Sequence, residues 1–102
     1  MRWYTTECLF RSVLDGGRKR AQHLERRCFL LRATNEQSAT KKAQDLARKK
    51  QHSYLNSDGE KVEWVLEKVV DAKEIFDKRL VEGTEVFHEY VGRRAGKVRR
   101  RT

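Results

Sequence analysis

The sequence predicts an α+β domain: an antiparallel β-sheet with a single helix packed on one face, in the order β-β-α-β-β-β. Three observations lead there. Runs rich in aromatic, β-branched and threonine residues recur along the chain, beginning with residues 3–14, WYTTECLFRSVL. Glycine-bearing turn signals separate them, at Asp15-Gly16-Gly17 and at Asn56-Ser57-Asp58-Gly59. One stretch, residues 35–50, changes to the period of a helix.

The first strand-like run ends at Asp15-Gly16-Gly17, where glycine tolerates the positive φ a turn requires. Residues 22–33 (QHLERRCFLLRA) resume an extended pattern, so the two runs read as a hairpin. A loop centred near Arg18 would set Cys8 opposite Cys28 and Arg11 opposite Glu25, a register that loop length could shift by one residue. In the helical stretch, Ala39, Ala43, Leu46 and Ala47 form one apolar stripe. Thr34 and Gln37 have capping-box spacing at its start, and Arg48, Lys49 and Lys50 suit its negative C-terminal end.

Beyond the helix, Tyr54-Leu55 is a short strand before a turn. Residues 60–70 alternate, with Val62, Trp64, Leu66 and Val70 on one side and Val65 and Val69 on the other, continuing towards Ile75 and Phe76. Leu80–Thr84 reads as a turn and Glu85–Val91 as a last strand. There is no internal repeat.

The chain has 102 residues, enough for one core, which places a single domain at 1–91 and a basic, disordered tail at 92–102. The tail supplies Arg93, Arg94, Lys97, Arg99, Arg100 and Arg101 without an acid, so of the net charge of +9 the body carries only +3. No apolar run approaches the roughly 20 residues of a membrane helix, and the opening Met1-Arg2-Trp3-Tyr4 has no signal-peptide character, so a cytoplasmic protein is expected. Two cysteines are too few for a disulfide scaffold and lack zinc-ligand spacing.

Several strands carry apolar residues on both sides: Leu9 and Phe10, Phe29 and Leu30, Leu66 and Val69. One alanine-lined helix covers one face only. Either the sheet curls on itself or a second subunit covers the rest, and a homodimer is the preferred expectation.

The Trp3-Tyr4 strand, the alanine-rich helix, the Tyr54-Leu55-Asn56…Asp58-Gly59…Val62…Trp64 hairpin and the Glu82-Gly83-Thr84-Glu85-Val86 segment together resemble a known family. It is the set of small bacterial proteins grouped as domain of unknown function 4288, and the resemblance covers roughly residues 2–90. It implies a compact stand-alone domain and carries no activity and no functional residues with it.

No catalytic constellation is recognisable. Cys28 and His23 fall on opposite faces of a strand, and Cys8 sits among apolar residues as a small core side chain. A Cys8–Cys28 bridge is geometrically conceivable in the centred register, but a cytosolic setting argues against it. His23, His52 and His88 make no ligand pair such as HxH or HExxH, so no metal and no cofactor is expected. Glu63, Glu67 and Asp71 share a strand face with Lys61 and Lys73, which reads as a solvated face of ion pairs. Gly16-Gly17 lacks any phosphate-loop context.

Two binding functions remain. The preferred one is a non-enzymatic protein-interaction or accessory domain, acting through a free sheet edge or an uncovered face. The alternative is nucleic-acid binding through the tail residues Arg93, Arg94, Lys97, Arg99, Arg100 and Arg101, supported by Arg18, Lys19, Arg20, Arg26, Arg27 and Arg32 of the first hairpin. Trp3, Phe29 and Trp64 could stack bases if exposed, although aromatics at strand spacing are more often core, and no RNP, KH or helix-turn-helix pattern is present. The helix mixes Glu36 and Asp45 with its lysines, unlike a recognition helix.

Overall fold

Strict alternation in the first strand builds the core. In β1 (Arg2–Leu14) the even-numbered residues Tyr4, Thr6, Cys8, Phe10, Ser12 and Leu14 are buried, while the odd-numbered ones from Trp3 to Val13 are half-buried. The computed structural model describes residues 1–17 and 23–92. Four strands form one antiparallel sheet in the order β2-β1-β4-β3, with β2 at Leu24–Ala33, β3 at His52–Leu55 and β4 at Lys61–Ile75. The helix α1 spans Glu36–Lys49. The fold class and the order β-β-α-β-β agree with the sequence reading as far as Ile75.

The turn after β1 is made by three successive residues at positive φ, Asp15 (49°), Gly16 (67°) and Gly17 (92°). Glycine is needed here because a Cβ would collide with its own backbone at such angles. Asp15 also accepts a hydrogen bond from the Lys61 amide at 3.1 Å, tying the turn to the start of β4. The hairpin register pairs Glu7 with Cys28, Cys8 with Arg27 and Phe10 with Glu25. It lies one residue away from the centred expectation, and that slip puts the two cysteines on opposite faces of the sheet.

The helix cap is also displaced by one residue. Asn35, not Thr34, is the N-cap: its Oδ1 accepts from the Ser38 amide at 2.8 Å, and Ser38 Oγ accepts from the Asn35 amide at 3.3 Å. Asparagine and serine complete the same reciprocal box that Thr34 and Gln37 were expected to form. The stripe itself is as read, with Ala39, Ala43 and Ala47 wholly buried. Ala39 packs with Tyr4, Ala33 and Ala72, and Ala43 and Ala47 pack with Cys8 and Phe10. Phe29, Leu31, Trp64, Leu66 and Val69 close around that second cluster. Phe29 and Trp64 therefore serve the core.

β4 departs from simple alternation. Its register against β1 shifts twice, once between Leu9 and Phe10 and once between Glu7 and Cys8, so that β4 carries one extra residue at each place. The extra residues are Glu67 and Val70, since Leu66 and Lys68 flank one shift and Val69 and Asp71 the other. Each bulge reverses the alternation of the residues beyond it. As a result Val69 joins the core side and Val70 is left 45% exposed, the opposite of the expected assignment.

A further correction concerns Glu85–Val91, which forms no strand. The turn before it is present, with the Thr84 amide donating to the Val81 carbonyl at 3.0 Å and Gly83 at φ 93°. After it, the carbonyls that would form a ladder are taken by side chains. Thr5 Oγ1 donates to the Val86 carbonyl, and Lys73 Nζ donates to the His88 carbonyl at 2.6 Å. Thr5 and Lys73 are cross-strand neighbours on the face away from α1, so this segment lies over that face as a strap.

Phe10 is wholly buried at the centre of the core. Phe10→Ala is expected to destabilise the fold by about 3–5 kcal/mol, and Asn35→Ala by about 1 kcal/mol, both measured by denaturant titration.

Candidate functional site

The face away from α1 is where the molecule departs from a closed core. β1 offers Trp3, Thr5, Leu9 and Val13 there, all half-buried, and β2 offers Leu24 and Leu30, 63% and 47% exposed. Charged side chains are interleaved with them and paired along the sheet. Arg26 Nε meets Glu7 Oε2 at 2.9 Å, Arg11 Nε meets Glu67 Oε1 at 3.9 Å, and Lys73 Nζ meets Asp71 Oδ2 at 3.7 Å. Such exposed pairs contribute little stability and chiefly fix side-chain positions.

The strap covers one end of this face. Lys73 Nζ stands 4.6 Å from the centre of the Phe87 ring while it holds the His88 carbonyl, so one lysine anchors two successive residues. Outside these contacts the strap is open: Val81, Val86, Tyr90 and Val91 are 59%, 54%, 84% and 86% exposed. An apolar segment left this bare is unusual for a surface that faces only water.

Beside the strap runs a shallow cleft of about 550 Å³, lined by Arg2, Glu36, Asp71, Lys73, Glu74 and His88 among others. It does gather a histidine with carboxylates. Arg2, Glu74, Asp71 and His88 are already engaged: Arg2 Nη1 reaches Glu74 at 3.5 Å, Asp71 accepts from the Ala72 amide at 2.9 Å, and His88 Nδ1 lies 3.5 Å from Glu85. Among the described residues no serine, threonine or cysteine lines this cleft beside the histidine. A smaller cleft of about 380 Å³ on the same end is bordered by Trp3, whose ring carries the Arg32 guanidinium at 5.2 Å.

The other sequence candidates are dispersed. His52 stacks on Tyr54 with ring centres 6.0 Å apart, and His23 bonds Ser12 at the far end of the hairpin. Among the described residues no three His, Cys, Asp or Glu side chains cluster as metal ligands. Arg26, Arg27 and Arg32 are held by Glu7, by Glu25 and the Phe10 ring, and by Trp3 respectively. The tail residues Arg93, Arg94, Lys97, Arg99, Arg100 and Arg101, like Arg18, Lys19 and Arg20, lie outside the described residues. Lys73 is the residue that sequence reasoning missed. Its importance arises from pairing with Thr5, far away along the chain, and no local pattern announces that.

Both cysteines are free thiols, Cys8 buried and Cys28 exposed. Burial pushes the Cys8 thiol up from its ordinary 9.0, with the neighbouring Cys28 and Glu7 adding to the shift. The folded state thus holds the Cys8 proton more tightly than the unfolded chain. Its contribution is present in full below pH 9.0 and declines as pH rises above that value. Stability measured across pH 8 to 10 should therefore fall more steeply for the wild type than for Cys8→Ala. A thiol reagent should label Cys28 at once and Cys8 only on unfolding.

No helix among the described residues is long and apolar enough to cross a membrane. Comparisons with curated proteins and with solved structures find no match. A family model does match, over residues 3–88, which takes in the sheet, the alanine-striped helix and the strap up to His88. The chain belongs to the family described as Domain of unknown function (DUF4288).

Proposed function

We propose that this chain is a non-enzymatic interaction domain that works in the cytoplasm as a homodimer or accessory partner, by binding other polypeptide. The observation that carries this reading is the strap. It places Val81, Val86, Tyr90 and Val91 in solvent beside the partly covered sheet face, where burial against a partner would remove apolar surface from water. The mixed charges of the neighbouring cleft suit the polar rim such interfaces carry.

Nucleic acid is the competing partner, supported by the six tail cations. Against it, the arginines of β2 are already occupied by carboxylates and rings.

The two readings separate experimentally. Lys73→Ala removes the anchors at His88 and Phe87 and leaves that of Thr5 on Val86. In a pull-down it should reduce recovery of co-purifying protein at least severalfold while circular dichroism stays unchanged; equal recovery from the variant and the wild type would count against the strap surface. Titration with DNA and RNA at two salt concentrations, with and without residues 93–102, should show no binding that the truncation abolishes. Tight, salt-sensitive binding lost on truncation would favour the nucleic-acid reading instead.

A further inference from the structure

The strap is joined to the body in a way that lets it leave as one piece. Among the described residues no backbone-to-backbone hydrogen bond links Glu85–Val91 to the sheet. Its anchors come from two side chains: Thr5 bonds the Val86 carbonyl, and Lys73 holds the His88 carbonyl and the Phe87 ring. Segments tied to a core this sparsely are the ones that open while the rest of the fold stays closed.

Opening leaves little unsatisfied. The turn before the strap is bonded within itself, the Thr84 amide donating to the Val81 carbonyl at 3.0 Å and the Val81 amide to Thr84 Oγ1 at 2.8 Å. Undocking breaks neither bond. Lys73 Nζ keeps Asp71 Oδ2 at 3.7 Å as an ion-pair partner. Val86 and His88 are exposed residues, so their carbonyls exchange a side-chain donor for water. Gly83 and Gly92, at φ 93° and 99°, bracket the strap with residues that rotate at little steric cost.

We propose that the strap is a two-state device: it docks on the sheet face and leaves it as a unit, Lys73 is its latch, and only the docked state presents the binding surface. The proposal rests on the interaction reading and names how that surface is switched. When docked, Val86, Phe87 and His88 are held in succession, and Val86, Tyr90 and Val91 stand in solvent at fixed spacing. When undocked, the same residues have no fixed spacing, and a partner must order them as it binds, which weakens binding. A partner that buries these side chains together therefore favours docking, and docking favours the partner by the same factor.

The anchors meet different residues, so their coupling tests whether the strap moves as a unit. Lys73 Nζ stands 4.6 Å from the centre of the Phe87 ring, so the ring current reports docking at the Lys73 ε-methylene. In NMR spectra of the full chain those protons should lie upfield of the other lysines. They should return to the common position at urea concentrations that leave the β1 amides unchanged. Thr5→Val keeps the β-branched shape and removes only the hydroxyl on Val86. It should nonetheless lower the docked-to-undocked ratio about fivefold, seen as a smaller upfield shift at Lys73. Phe87→Ala, on the strap itself, should loosen the Thr5 contact a few fold, read at the Thr5 methyl, and serves if Thr5→Val disturbs the sheet. In the same pull-down as Lys73→Ala, Thr5→Val should also lower recovery.

No upfield shift in the full chain, a shift lost only as the β1 amides unfold, or anchors that ignore each other's removal overturn the proposal. Full recovery by a variant whose docking has fallen overturns the switch. A wild type that recovers no protein sinks the interaction reading and the switch with it, while the docking equilibrium stands on the spectra alone.

Discussion

The structure depends on the close approach of α1 to the sheet. Ala39, Ala43 and Ala47 are all wholly buried, so the helix contributes almost no side-chain bulk to the core and its backbone lies near the strands. The volume comes from the sheet, through Phe10, Phe29, Trp64 and Leu66. Full burial of a side chain such as Phe10 is worth about 1.5–3 kcal/mol, and the tight helix makes that burial complete. A bulkier stripe would lift the helix and open the cluster around Cys8. The capping box at Asn35 and Ser38 sets where the helix begins, and hence which residues form the stripe.

That arrangement has a cost on the other face. Because the alanine stripe satisfies only one side of the sheet, Leu9, Val13, Leu24 and Leu30 are covered by nothing comparable among the described residues. The chain's own answer is partial. Lys73 and Thr5 hold the strap by two of its carbonyls and one ring, which protects one end of the face and exposes the strap's own apolar residues. The same preference for side-chain anchoring explains why Glu85–Val91 alternates like a strand without pairing as one. Two of its carbonyls, those of Val86 and His88, are bonded by side chains and not by a neighbouring strand.

Much of the fold was legible because it is written in short periods. The strand-forming composition of β1, the three alanines at helical spacing and the glycine turns each depend on residues within a few positions of one another. The misreadings share one cause. The hairpin register, the exchange of Val69 for Val70 and the missing last strand are all decided by pairing between distant segments. A bulge adds a residue without leaving any mark on composition. The candidate surface was less legible than the fold. Its anchor, Lys73, looks like one more lysine on a charged strand until Thr5 is placed beside it.

By itself, then, the sequence determined the class of architecture, the extended run that becomes β1 and the place of the helix, since side-chain period and turn chemistry are local properties. The tertiary structure alone decided which valine enters the core, that the two cysteines lie on opposite faces, and that the last apolar segment crosses the sheet instead of extending it. These outcomes turn on single-residue shifts between strands. In a sheet, one residue is the difference between a side chain in the core and one in water.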